Sequence, residues 1–446
     1  MKINYQFPKE VKTVIKKVQG GGFEIFVVGG AVRDILMKKP VADWDFATNA
    51  VPAEILKIYP AAFYNNKFGT VGVKTDIGVA EITTFRKEGK YADFRHPDIV
   101  KWGKTIEEDL ARRDFTINAL ALSLAGEIVD PFAGGKDLEK KLIRAVGDPT
   151  KRFSEDALRL IRAVRFAAQL EFIIEDKTFT AIARNAHLIK NISSERIADE
   201  LFKILESQHP ADGFLLLRNA NLLAQILPEL EKCFGVAQAS PKRHHIWDVG
   251  THSLKSLEFC PSKDPLVRFA TLIHDIGKPD VRKVTPEGIT TFYNHEVVGA
   301  KIAKAIANRL HLSKKQRGRL VTLVRWHQFT VDEATTAAAA RRFIRRVGVN
   351  NIPDMIDLRA GDRLGGGLTE ATSWRLKRFL KLVDQELNPP FSVSDLAISG
   401  HDVMKILAIS PGPKVGQILN QLFEEVLDNR KKNTRAYLLK RLKELK

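Results

Sequence analysis

Hydrophobic and polar positions follow two different rhythms along this chain. Up to about residue 150, short apolar runs alternate with helix-like segments. Phe23 to Val28, apolar but for Glu24, predicts a buried strand. Val41 to Thr48 alternates with period two, and 70–75 and 77–84 predict two further strands. Thr105 is the expected N-cap of a long amphipathic helix reaching Ala121, with Glu107 and Glu108 suited to its first turn. The polar, aperiodic stretch from Arg86 to Lys104 reads as a mobile loop. From Ser154 onward the spacing is helical almost throughout, with Ser154 as the expected N-cap of a helix over 154–171. Breaks are expected at Gln208-His209-Pro210, Pro228, Pro241, Pro261 and Asn388-Pro389-Pro390. The pattern predicts an α+β fold, a small mixed sheet with helices followed by an all-α remainder. A segment boundary is expected near 150.

Candidate chemistry concentrates where the first strand ends. Gly29-Gly30-Ala31-Val32-Arg33-Asp34 follows it, so a Gly-Gly turn leads into a helix whose N-terminus suits a phosphate. Nine residues on comes Asp43-Trp44-Asp45, in which period-two geometry puts both carboxylates on one face and Trp44 on the other. Two neighbouring carboxylates beside a phosphate cradle repel each other unless divalent cations lie between them, the requirement of two-metal phosphoryl or nucleotidyl transfer. A solvated surface strand would also carry such a pair, but not with the glycine turn beside it.

Composition narrows the partner. At 446 residues, 44% of them hydrophobic, the chain is long enough for several packed domains. No apolar run of about eighteen residues appears, and the N-terminus lacks an apolar signal core, which predicts a cytoplasmic protein without membrane association. Two cysteines, Cys233 and Cys260, supply neither a disulfide framework nor metal-ligand spacing. A net charge of +18 on an enzyme with metal-binding acids points to a polyanion larger than one nucleotide.

In the 154–171 segment, Arg159, Arg162 and Arg165 recur every third residue, opposite an apolar stripe that includes Leu160, Ile161 and Val164. A solvated basic face is the plain reading of such a stripe. Asp156, three residues before Arg159, allows a sharper one. Cytosine and adenine both show an exocyclic amine beside a ring-nitrogen acceptor. Asp156 can accept from the amine while Arg159 donates to the ring nitrogen. Guanine and uracil present a carbonyl to the carboxylate, and the unpaired groups reject them.

Taken in order, GGAVRD, DWD, ARRDFTINALAL (111–122), DPFAGGKDL (130–138), IRAVGDPTKRFSEDALRLIRAVRFA (143–167) and SSERIADEL (193–201) resemble the class II tRNA nucleotidyltransferases, the CCA-adding enzymes and their poly(A) polymerase relatives. The resemblance implies a polymerase β-like head (1–150), a helical neck and body binding RNA and the nucleotide base (151–240), then an HD domain (241–365) and a tail (366–446). It implies Mg²⁺ at Asp43 and Asp45 as the catalytic pair, with Gly29, Gly30, Arg33 and Arg113 at the nucleotide. Asp156 and Arg159 would read the base, with Arg162 and Arg165 completing the phosphate and base contacts. Glu81, on a candidate adjacent strand, is a weak candidate for a third carboxylate, and a structural role is the better reading.

Further on, His252, His274-Asp275 and Asp362 match the H…HD…D pattern of HD-family metal sites, with His295 and His327 matching the extra histidines of binuclear examples. Imidazoles and carboxylates converging in a helical core can hold divalent transition metals. His401-Asp402 follows Ser399-Gly400 and reads as a helix start, and His244-His245 as a loop. The stretch 398–419 resembles the tail of HD-bearing family members. Its Pro411-Gly412-Pro413 turn suits either a phosphate contact or a plain helix hairpin, and the basic helix in 429–446 suits either RNA contact or packing. The expected reaction is addition of C, C and A to tRNA from CTP and ATP. The alternatives are poly(A), C-only or A-only addition, and an HD phosphohydrolase acting on RNA ends or nucleotides.

Overall fold

Four apolar residues, Ile25–Val28, form strand β1 in the interior of a mixed seven-stranded sheet. The computed structural model describes every residue except 1, 65–68, 77, 88–100, 239–246, 330–334, 388–391 and 446. The chain divides into two compact units, Met1–Pro228 and Glu229–Lys446.

In the first unit, β2 (Asp45–Thr48), β3 (Phe63–Tyr64), β4 (Thr70–Thr75), β5 (Gly78–Thr84), β6 (Ala121–Leu122) and β7 (Ile128–Val129) join β1 in the order β3-β4-β5-β2-β1-β6-β7. Among the described residues of this sheet only β2 and β5 pair in parallel, and their register sets Asp45 opposite Glu81. Asp43 precedes β2 rather than belonging to it, so strand alternation does not fix its direction. Trp44 turns toward Phe7, with ring centroids 6.2 Å apart. The ends of the Arg86 to Lys104 stretch pair through Arg86 with Trp102 and Lys87 with Lys101, and its centre lies outside the described residues.

Two expected helices differ. The helix from Thr105 stops after six residues, Ile106–Ala111, although Thr105 caps it as expected. Asp114 then accepts from the Phe115 N–H (2.8 Å) and from Asn118 Nδ2 (3.3 Å), which bends the chain into a single 3₁₀ turn over Thr116–Asn118. The following apolar residues enter the sheet, where Leu122 pairs with Val27. Strand pairing and local side-chain bonds override helical periodicity here.

The expected 154–171 helix is two helices. The first, Pro149–Glu155, starts at an Asp148 cap with proline in its first turn. Ser154 is therefore interior, its hydroxyl donating to the Lys151 carbonyl (2.8 Å). At Asp156 the backbone becomes extended (φ −141°, ψ 104°), and its carboxylate accepts from the Leu158 N–H (3.0 Å) at the start of Leu158–Leu170.

Among its described residues the second unit is helical apart from one short hairpin. Its organising contact is the crossing of Val249–Glu258 with Ile352–Gly365. A Cβ on Gly361 would lie 2.6 Å from the Ser256 carbonyl oxygen, and one on Gly365 would lie 2.4 Å from the Ser256 nitrogen. Only glycine permits this approach, which carries Asp362 to His252. C-terminal helices Gly400–Leu407, Pro413–Asp428 and Arg435–Glu444 share a core containing Val403, Phe423 and Leu438. The buried Arg341 ties this bundle to the preceding helices by donating to the Leu427 and Asp428 carbonyls. Asp402 starts its helix as expected, closing a capping box with Ser399 and pairing with Arg435.

Gly365→Ala should force the crossing helices apart, lowering the unfolding free energy by about 2 kcal/mol. Denaturant unfolding of the variant beside wild type measures this; an unchanged midpoint would show that the crossing relaxes freely.

Candidate active site and metal centre

The first site is a cleft of about 420 Å³ in the first unit. Seven arginines and four carboxylates line it, so its balance is cationic and suits a triphosphate. Gly29 stands at its mouth with φ 71°, a left-handed conformation, and a Cβ there would lie 2.7 Å from Arg113 Nη1. Gly30 and Arg33 line the same cleft. Arg33 is held by Asp34 and by donation to Asn118 Oδ1 (2.9 Å). Arg113 is anchored to Asp109 at 3.2 Å.

On the sheet side, Asp45 and Glu81 line the cleft as lateral neighbours. Desolvation, then the nearby charge of Glu81, raise the pKa of Asp45 above the usual carboxylate value; Arg113 opposes this and Asp43 adds to it. Glu81 thus weighs more on Asp45 than Asp43 does. Sequence reading placed Glu81 on the adjacent strand but could not supply the parallel register. Asp43 lies outside the cleft lining, exposed beside a separate small cavity.

The arginine stripe is not a solvated face. Arg159 and Arg165 are buried, and all three arginines are engaged. Arg159 donates to Glu155 Oε2 (2.8 Å) and to the carbonyls of Arg152 (2.8 Å) and Arg112 (3.0 Å). Since a guanidinium has five N–H donors, it keeps donors for a ligand while its plane stays fixed. Arg162 is committed to Asp114 through two bonds of 2.9 and 2.5 Å. Arg165 pairs with Glu200 at 3.0 Å and lies outside the cleft lining. Burial, with the neighbouring Arg162 charge, pulls its pKa down to about 10. Phe166 gathers the guanidinium carbons of Arg165, Arg162 and Arg33 over its ring at 4.1, 5.3 and 5.5 Å. Asp156 and Arg159 both line the cleft, and the carboxylate of Asp156 faces Arg196 (3.4 Å). Arg196, Phe166 and Asp114 were not singled out from sequence.

The second site lies in the second unit, beside a cavity of about 1000 Å³. All six expected residues converge. His252 Nε2, His274 Nε2, Asp362 Oδ1 and Asp275 Oδ2 form one set, spanned by distances of 3.2–3.6 Å. His295 Nε2 and His327 Nε2, 3.3 Å apart, face the other oxygen, Asp275 Oδ1, at 3.2 and 3.6 Å. Asp275 therefore presents one oxygen to each set. His274, His295 and His327 donate from Nδ1 to the carbonyls of Thr271, Phe292 and Val324. These bonds orient the rings and leave Nε2 for a ligand.

Against desolvation, the neighbouring imidazoles hold Asp275 and Asp362 well below the usual carboxylate range, and the Asp275 charge lifts His274 to about 10. The buried carboxylates call for cations, and nitrogen and oxygen donors so disposed fit divalent metal. Lys278, in the run HDIGK, was missed: its Nζ lies 2.5 Å from Asp275 Oδ2 and donates to Gln238 (2.8 Å).

Comparisons with known proteins place the chain in a family. The poly A polymerase head domain matches residues 25–144, the probable RNA and SrmB-binding site of polymerase A 171–234, the HD domain 242–385, and tRNA nucleotidyltransferase domain 2 residues 384–442. The CCA-adding enzyme of Lactococcus lactis subsp. lactis is 33% identical over 440 residues, 98% of this chain and 97% of that protein. That of Pediococcus pentosaceus is 33% identical over 441 residues, covering 98% of each. This chain belongs to the CCA-adding enzyme family. A crystal structure of the Bacillus stearothermophilus CCA-adding enzyme in complex with CTP aligns with a TM-score of 0.72 and 26% identity, over 99% of this chain and 98% of that one. The α+β head and helical remainder are thus those of CCA-adding enzymes. Members of the nucleotidyltransferase and HD families use divalent metals, in keeping with the acids of the cleft and the histidines of the second unit.

Two outcomes follow from these geometries. Arg162 holds the Asp114 carboxyl down at about 2 against its burial. A depressed carboxylate pKa stabilises the fold above its unfolded value of about 3.9, and that stability is lost as pH falls toward about 2. Asp114→Asn should therefore cost about 3 kcal/mol near neutral pH and flatten the acid limb of the stability profile. An unchanged acid limb in urea unfolding between neutral pH and pH ~3 would contradict the role of the pair. His274→Ala should lose the metal of protein purified without chelator, read by elemental analysis; unchanged metal content would reduce the cluster to a structural core.

Proposed function

We propose that this chain adds C, C and A to the 3′ end of tRNA from CTP and ATP, releasing pyrophosphate. The observation that carries it is the composite cleft. The parallel register of Asp45 with Glu81 supplies the acids, and the same cavity holds the Asp156/Arg159 pair on its helical wall. Relatives called CCA-adding enzymes match nearly the whole chain, which favours full CCA addition over poly(A), C-only or A-only products.

Asp43 and Asp45 would hold Mg²⁺, with Glu81 as a third acid. The bound metal would activate the RNA 3′-hydroxyl and offset charge on the departing pyrophosphate. Gly29 leaves room for Arg113, and Arg113 and Arg33 face the triphosphate beside Gly30. Asp156 accepts from the exocyclic amine of cytosine or adenine while a remaining N–H of Arg159 donates to the ring nitrogen. Arg162 acts mainly through Asp114, and Arg165 through Glu200 and Phe166. The functional segments are a head at 1–150, neck and body at 151–240, HD domain at 241–365 and tail at 366–446, with tRNA meeting the basic surface. Among the described residues no helix is long and apolar enough to cross a membrane, and a cytoplasmic site of action is part of this proposal.

A second reading concerns the HD centre. Two ligand sets sharing Asp275 suit a divalent transition metal that polarises a phosphate ester, so the centre would hydrolyse phosphates at damaged RNA ends. The head requires no histidine-bound metal.

With tRNA lacking its 3′ CCA, Asp43→Ala or Asp45→Ala should reduce incorporation about a thousandfold or more while tRNA binding persists. Asp275→Ala should retain addition to hydroxyl-ended tRNA yet fail on a 2′,3′-cyclic phosphate end that wild type can use. Normal incorporation by Asp45→Ala would remove the cleft as the catalytic site. Loss of addition to the hydroxyl-ended tRNA in folded Asp275→Ala would show the two centres to be coupled.

A further inference from the structure

We infer that Arg196 is a positioning residue for nucleotide selection, holding the Asp156 carboxylate in the orientation that reads the base. The inference rests on Asp156 reading the base, as proposed above. Asp156 sits at the break between the helices Pro149–Glu155 and Leu158–Leu170, where no backbone ladder fixes its side chain. One carboxylate oxygen, Oδ1, is used to cap the second helix through the Leu158 N–H (3.0 Å). The other, Oδ2, is left for a ligand, and its direction depends on rotation about the last side-chain bond. Arg196 Nη2 stands 3.4 Å from that oxygen.

Arg196 comes from a different part of the chain, the first turn of Ser194–Leu205, and lines the same cleft as Asp156, Arg159 and Asp45. Its contact with Asp156 pins the carboxylate from the side opposite its helix cap. A second observation points to a ligand. Arg196 Nη1 is buried and has no hydrogen-bond partner among the described residues. A buried donor left without a partner is costly, and a nucleotide acceptor in the cleft would satisfy it. The guanidinium thus holds Asp156 through Nη2.

Selection depends on Asp156 presenting an acceptor where guanine and uracil carry a carbonyl. A carboxylate free to turn would lower that penalty, so Arg196→Ala should lose discrimination more than turnover. Arg196→Ala, Arg196→Gln, Arg196→Lys and Asp156→Ala are to be compared with wild type, with each NTP supplied separately. In Arg196→Ala, the ratio of UTP to CTP incorporation should rise about tenfold, mainly through KM, with kcat for CTP little changed. Arg196→Lys, which keeps a donor and a charge, should restore most of the selectivity; Arg196→Gln should not. If Arg196→Ala fails to fold, Arg196→Gln carries the same comparison. Wild-type selectivity in the folded Ala or Gln variant, with Asp156→Ala relaxed, overturns the inference and leaves the base-reading assignment standing. Equal selectivity in Asp156→Ala overturns that assignment itself.

Discussion

The active cleft depends on one partly buried ion pair, Asp114 with Arg162. Asp114 follows the paired arginines Arg112 and Arg113, and Arg162 belongs to Leu158–Leu170, the helix that carries Arg159 and starts just after Asp156, the pair proposed to read the base. Their bonds of 2.9 and 2.5 Å fasten that helix to the sheet domain. The pair also belongs to a longer relay. Arg33, beside the glycine turn, donates to Asn118, and Asn118 donates to Asp114. The triphosphate corner and the base-reading wall are thereby held in fixed relation. Replacing such a pair by apolar groups can leave stability unchanged, while removing one partner strands a buried charge. Its value here is geometric: one site must hold two different bases with their α-phosphates at the same acids.

The same principle operates in the second unit by a different route. Two glycines let helices cross closely enough for Asp362 to reach His252, and Asp275 offers its two oxygens to opposite sets of imidazoles. Carboxylates buried this deeply are acceptable only with cations beside them. Lys278 and the imidazoles supply part of that charge, and a divalent metal would complete it. Each centre assembles its ligands within its own unit.

Much of this was legible in the sequence. The apolar run 25–28, the glycine turn after it and the strands near 70–84 follow from local pattern, and the spacing of His252, His274-Asp275 and Asp362 marked residues that do converge. The failures are equally local in origin. The segment 105–121 has helical spacing, but Asp114 bonds its own neighbours and the pairing of Leu122 with Val27 claims the rest for the sheet. The 154–171 segment carries one amphipathic stripe, yet Asp148-Pro149 is the stronger start signal and Asp156 breaks the backbone. An arginine stripe cannot announce whether its charges face water or buried acids, and Glu155, Asp114 and Glu200 decided that. Glu81 needed a parallel register, and Arg196 a contact across 40 residues; neither is written in any local pattern.

If one rigid site selects cytosine and adenine in turn, the products formed from tRNA lacking its 3′ CCA test the account most directly. Each NTP is offered alone, then CTP with ATP, and the extended 3′ ends are sequenced. The account predicts that CTP alone extends the tRNA by C-C and stops, that both together complete C-C-A, and that UTP and GTP are refused. A long homopolymer from ATP alone, or ready use of UTP, would contradict it.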